Sequence, residues 1–97
     1  MVEGKYNLTL RTPRGNEQGT LVMIQQGTTI MGYLTYRGTN YRFSGGRTQG
    51  YDFEFEGEFK WMFMNVPYRA KGQVIKDRLS GVVYTKFGNF PAEGIKV

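Results

Sequence analysis

The chain is expected to fold as an all-β, eight-stranded antiparallel up-and-down barrel, and three observations lead to that expectation. Residues 51–64 read Y-D-F-E-F-E-G-E-F-K-W-M-F-M, with Phe53, Phe55, Phe59, Trp61 and Phe63 alternating against Asp52, Glu54, Glu56, Glu58 and Lys60. A helix smears such a pattern around its circumference, whereas a strand sends alternate side chains to opposite faces. Glycine supplies the second observation, because 14 of the 97 residues are glycine and they fall at hairpin spacing. The third is that the stretches between apolar segments are too short for the crossover of a dozen or more residues that parallel pairing needs.

Taken in order, the first strand, 5–11, turns Tyr6, Leu8 and Leu10 to one face. The second, 19–25, carries Leu21-Val22-Met23-Ile24 and is apolar on both faces. The third and fourth, 29–37 and 40–44, set Ile30, Leu34, Tyr36, Tyr41 and Phe43 inward. The fifth, 51–64, is the aromatic strand. The sixth, 67–75, and the seventh, 79–86, contribute Tyr68, Val74, Leu79 and Val83, with Val66 just ahead of the sixth, and 90–96 closes the set. Turn-forming residues lie between them at 12–16, 26–28, 38–39, 45–50, 76–78 and 87–89. Eight short strands hide their edges by closing into a barrel or by stacking as a sandwich. Uniformly short connections favour closure, and Gly32, Gly57, Gly72 and Gly81 suit the bends of a small barrel. A shift of 49 positions lays Ile30-x-Gly32 on Leu79-x-Gly81, Asn40-Tyr41 on Asn89-Phe90 and Gly45 on Gly94. This is either a duplicated four-strand unit or a coincidence among glycines.

Composition narrows the function. Residues 1–97 make one domain, with room for a single core. There is no cysteine and no histidine, which removes disulfides, thiolate nucleophiles, the commonest general base and the commonest zinc ligands. No catalytic residue, metal or cofactor is expected. The tyrosines Tyr6, Tyr36, Tyr68 and Tyr84 have no identifiable acid partner, so the chain reads as a non-enzyme. Glu54, Glu56 and Glu58 form a row along one strand, where a cation-binding site needs oxygens wrapped around the ion. The opening Met1-Val2-Glu3-Gly4-Lys5 lacks the signature of a secretion signal, and no apolar run is long enough for a membrane helix, so a cytoplasmic location is expected.

Gly4-Lys5-Tyr6 at the head of the first strand, with the recurring Ile30-x-Gly32 and Leu79-Ser80-Gly81, resembles the small meander barrels of the lipocalin and streptavidin-like group. The nearest fit is to short bacterial barrels of that architecture. The resemblance implies a binding protein that holds a small ligand inside the barrel or sequesters a protein partner. The chain departs from streptavidin-like barrels in having one tryptophan, Trp61, where they carry several around the ligand, and biotin is not the implied ligand.

For an apolar cavity, Tyr36, Tyr41, Trp61 and Tyr68 are the expected lining, with rings supplying contact area and hydroxyls supplying polarity. The alternative is a single-stranded nucleic-acid surface built from Tyr33, Arg37, Tyr41, Arg42 and Arg47, because rings stack on bases while guanidinium groups meet phosphates. The net charge of +5 is dispersed from Lys5 to Lys96 and not clustered, which argues against that alternative. Met31, Met62 and Met64 fall on faces that alternation turns outward, and the second strand is apolar on both faces. With no helix to cover them, a homodimer is expected.

Overall fold

Period-two alternation resolves into eight strands: β1 (Gly4–Thr12), β2 (Gly15–Gln26), β3 (Thr29–Tyr36), β4 (Thr39–Gln49), β5 (Asp52–Trp61), β6 (Met64–Ile75), β7 (Arg78–Thr85) and β8 (Gly88–Lys96). The computed structural model describes residues 1–97, and in it each strand pairs antiparallel with the next while β8 returns to β1, closing an up-and-down barrel with no helix. Closure gives every strand two neighbours and removes the sheet edge on which chains aggregate.

Every connection is two residues long, the length whose twist suits tight antiparallel hairpins. Up-and-down winding therefore collects Pro13-Arg14, Arg37-Gly38, Met62-Phe63 and Lys86-Phe87 at one end, here called the mouth. Gly27-Thr28, Gly50-Tyr51 and Lys76-Asp77 gather with both termini at the floor. The floor is sealed. Val2 is fully buried there, its carbonyl accepting the Tyr6 hydroxyl at 2.6 Å, and Val97 N–H donates to the Lys5 carbonyl at 2.9 Å.

Three expectations about the elements need correction. The aromatic strand does not run to Met64: it ends at Trp61, Met62-Phe63 forms the turn, and Phe63 is completely exposed instead of inward. Alternation continues through the turn residues, and Met62 adopts a left-handed φ of 59° without glycine or asparagine to mark it, so the sequence hides the reversal. The glycine-rich segment 45–50 is mostly strand, with only Gly50 and Tyr51 turning. Gly45, at φ 71°, is part of a bulge, seen as the register step from Ile30 opposite Gly46 to Gly32 opposite Phe43. Likewise β2 begins at Gly15, four residues earlier than expected, because Pro13-Arg14 alone makes the first turn.

The two halves of the barrel are equivalent in layout. The turns at 13–14, 27–28 and 37–38 recur at 62–63, 76–77 and 86–87, each displaced by 49 residues. Matched inward positions exchange bulk: Leu8 for Gly57, Gly19 for Tyr68, Leu21 for Ala70, Met23 for Gly72, and Phe43 for Ala92.

The core occupies the floor half. Phe43 stacks on Phe55 with ring centroids 3.9 Å apart, and Phe55 meets Tyr68 edge to face at 6.0 Å. Leu21, Met23, Ile30, Phe53, Val74 and Leu79 complete it. On β6 and β7 the strands touch backbone to backbone at Gly72 and Gly81, which lie directly opposite each other.

Candidate functional site: an apolar cavity behind a cationic mouth

Above the packed floor the inward side chains do not meet. They enclose a cavity of about 370 Å³, and 17 of its 27 lining residues are hydrophobic. Its wall is built by alternation alone: Leu8 and Leu10 from β1, Leu21 from β2, Leu34 from β3, Phe59 from β5 and Val83 from β7 each point inward at successive two-residue steps. Small residues at two lining positions, Ala70 and Ala92, leave room that larger side chains would take up. An eight-stranded barrel is just wide enough for that choice to decide between a filled interior and room for one small ligand.

Of the four residues expected to line a cavity, Tyr36, Trp61 and Tyr68 do so, and Tyr41 does not. β4 pairs with β5 only over Arg47–Gln49, and above the Gly45 bulge it is Phe43 that reaches the core, stacked on Phe55. Tyr41 remains half-buried opposite Leu34, outside the cavity wall. Tyr68 lies across the bare inner face of Gly57, its partner in the β5–β6 ladder; a Cβ there would sit 2.6 Å from the phenol oxygen. The Tyr68 hydroxyl is buried without a hydrogen-bond partner, and burial pushes its pKa up to about 12. At the floor, burial and then the Asp77 carboxylate raise the Tyr6 pKa as well.

The polar groups of the site are concentrated at the mouth. Glu17, in inward register with Gly19 and Leu21, accepts the Tyr36 hydroxyl and is held by the Arg37 guanidinium at 2.6 Å. Arg14 from the first turn and Arg37 from the third each lie 5.6 Å from the Trp61 ring centroid. Threonine hydroxyls stiffen two of these turns. Thr12 Oγ1 accepts the Arg14 N–H at 3.2 Å and donates to the Gly15 carbonyl at 2.7 Å, while Thr85 does the same for Phe87 and Gly88. The turn-like composition of residues 12–16 hides Arg14, and Glu17 precedes the expected start of the second strand at residue 19. The alternation Glu17-Gly19-Leu21-Met23 is the signal that extends β2 to them.

The residues considered for nucleic acid are not gathered on one face. Tyr33 and Arg42 are cross-strand neighbours on the outer wall, while Arg37 is engaged at the mouth with Glu17 and Trp61. Beside Tyr33, the outward pairs Val22–Tyr33 and Ile24–Met31 form an apolar stripe along β2 and β3.

No protein-family model matches the chain, and no curated protein matches it in sequence. Solved structures do match in shape. A redesigned β-barrel, mFAP1, bound to DFHBI, superposes with a TM-score of 0.69 over 99% of this chain and 94% of its own, at 12% identity. A second redesigned β-barrel, b11L5F_LGL, gives the same score and identity over 99% and 90%. At that identity the likeness is one of fold, a β-barrel in each case.

Proposed function

We propose that this protein is a non-enzymatic binding barrel whose interior cavity takes one small, largely apolar ligand. The reading is carried by the cavity of about 370 Å³, whose wall is predominantly apolar. That size falls within the range of small-molecule sites, and an apolar wall with a few placed polar groups is their usual make-up. The likeness in fold to a redesigned barrel bound to DFHBI lends support, since the same architecture holds a small molecule there. Titration with the neutral fluorophore N-phenyl-1-naphthylamine tests it. The wild-type chain is expected to bind saturably, and Ala92→Phe, which places a ring in the cavity, is expected to abolish binding while the chain stays folded. Undiminished binding to that variant would contradict the interior site.

A second reading attaches to the outer stripe of Val22, Ile24, Met31 and Tyr33, which a second copy of the chain would cover. Half-exposed apolar pairs on adjacent strands favour it. Sedimentation reads it directly: a homodimer has twice the 11.1 kDa chain mass, and Ile24→Lys is expected to restore the monomer.

A further inference from the structure

The turns at the mouth carry a charge pattern that an apolar ligand alone does not require. Three of the four, Pro13-Arg14, Arg37-Gly38 and Lys86-Phe87, each hold one cation, and none holds a carboxylate. The only carboxylate lining the cavity, Glu17, is taken up by Arg37 and Tyr36. Arg14 has no carboxylate partner. Its guanidinium sits over Trp61, it lines the cavity, and the Thr12 hydroxyl fixes the turn that presents it. A guanidinium packed on an indole keeps its N–H donors free at the edge, which is where an oxyanion is held. Lys86, at 5.4 Å from the Phe87 ring, adds a second unpaired cation on the same rim. Deeper in, Leu8, Leu34, Phe55 and Val83 surround the void, the Tyr68 hydroxyl is sealed against Gly57, and the ammonium of Lys71 is turned to Glu54, 3.8 Å away.

From this arrangement we propose that the ligand is an anionic amphiphile, with an apolar body in the cavity and a carboxylate, sulfonate or similar oxyanion held at the mouth by Arg14, with Lys86 and Arg37 adding field. The proposal rests on the interior binding site proposed above. It is distinct from that reading because a neutral apolar ligand would satisfy the cavity and leave Arg14 unused. Cations grouped around a low-dielectric opening also concentrate anions at it, so association should be faster at low salt.

Two fluorophores with one skeleton separate the ideas: 1-anilinonaphthalene-8-sulfonate carries the anion, and N-phenyl-1-naphthylamine lacks it. Both are titrated into wild type, Arg14→Gln, Arg14→Lys and Ala92→Phe, at low and high salt. The expected result is that the two probes compete for one site and that Ala92→Phe abolishes both. Arg14→Gln should weaken the sulfonate by about three- to tenfold, the range of one net hydrogen bond, and leave the neutral probe within about twofold. Arg14→Lys should restore most of the loss, and high salt should narrow the gap between the probes. Equal losses for both probes in Arg14→Gln, a sulfonate affinity indifferent to Arg14, or a sulfonate that fails to displace the neutral probe would overturn the anionic assignment while leaving the cavity intact. If neither probe binds wild type, both readings fall together.

Discussion

Arg14 and Trp61 meet across the mouth of the barrel, the guanidinium 5.6 Å from the indole centroid, although they belong to hairpins on opposite sides of the ring. β1 and β5 are four strands apart in a closed set of eight, so this contact spans the opening and narrows the path to the cavity. A cation–π contact at an exposed site is worth about 0.5–1 kcal/mol, enough to bias a mouth toward closed without locking it. Removing it with Arg14→Ala is expected to speed both association and dissociation of the neutral naphthylamine probe by about two- to fivefold, following the same energy. Stopped-flow fluorescence measures both rates, and unchanged rates would show that the clasp does not gate access.

Tyr68 gives a prediction with two parts. An unpartnered buried hydroxyl costs about 1–3 kcal/mol, so Tyr68→Phe is expected to stabilise the free protein by about 1 kcal/mol in urea unfolding.

Burial of the Tyr68 phenol also makes stability depend on alkaline pH. The native phenol keeps its proton until about pH 12, whereas the unfolded one loses it near its ordinary value of 10.0. Between those values the folded state binds more protons than the unfolded state, so stability is intact below pH 10 and falls as pH rises toward 12. The full loss is about 3 kcal/mol for a displacement of this size. Tyr6 contributes in the same direction, and comparing Tyr68→Phe with wild type isolates the Tyr68 share.

The glycine pair on β6 and β7 should tolerate nothing larger. A Cβ at Gly72 would lie 2.3 Å from the Ser80 carbonyl oxygen and 2.8 Å from the Gly81 Cα, both backbone atoms that cannot rotate away. Gly72→Ala is therefore expected to destabilise by at least about 2–3 kcal/mol, the upper range for overpacking. Gly57→Ala should cost less, because the atoms it meets belong to the Tyr68 side chain. Thermal unfolding of the two variants ranks them.

Met62 is 80% exposed at the first position of its turn and holds a left-handed φ of 59°. That conformation costs a residue with a Cβ about 1–2 kcal/mol, partly offset by the extra unfolded-state freedom of glycine. Met62→Gly should leave stability unchanged or raise it by up to about 1 kcal/mol, and a clear loss would mean that the turn is held by contacts of the Met62 side chain.

The sequence disclosed the fold through alternation, which is a property of the backbone and survives any packing detail. Phe53, Phe55 and Phe59 on one face and Glu54, Glu56 and Glu58 on the other are unambiguous in any register. Turn chemistry is less legible at two places, because Met62-Phe63 reverses the chain without glycine, while Gly45 and Gly46 sit inside a strand. Tyr36, Trp61 and Tyr68 were named for the cavity from aromatic character and inward parity. Tyr41 shares both properties and still stays outside it, since a bulge three residues downstream and the parting of β4 from β5 decide its position. Glu17 and Arg14 depended on where β2 starts, and their partnership with Tyr36, Arg37 and Trp61 joins turns that are remote in sequence and adjacent only once the barrel closes.

Occupation of the interior by a small molecule is read out by methyl carbon–proton spectra recorded during titration with N-phenyl-1-naphthylamine. The predicted result is saturable shifts at Leu10, Leu34 and Val83, which line the cavity, with Ile24 and Ile75 on the outer wall unmoved. Shifts confined to Ile24 and its neighbours would move the binding surface to the outside of the barrel and contradict the account.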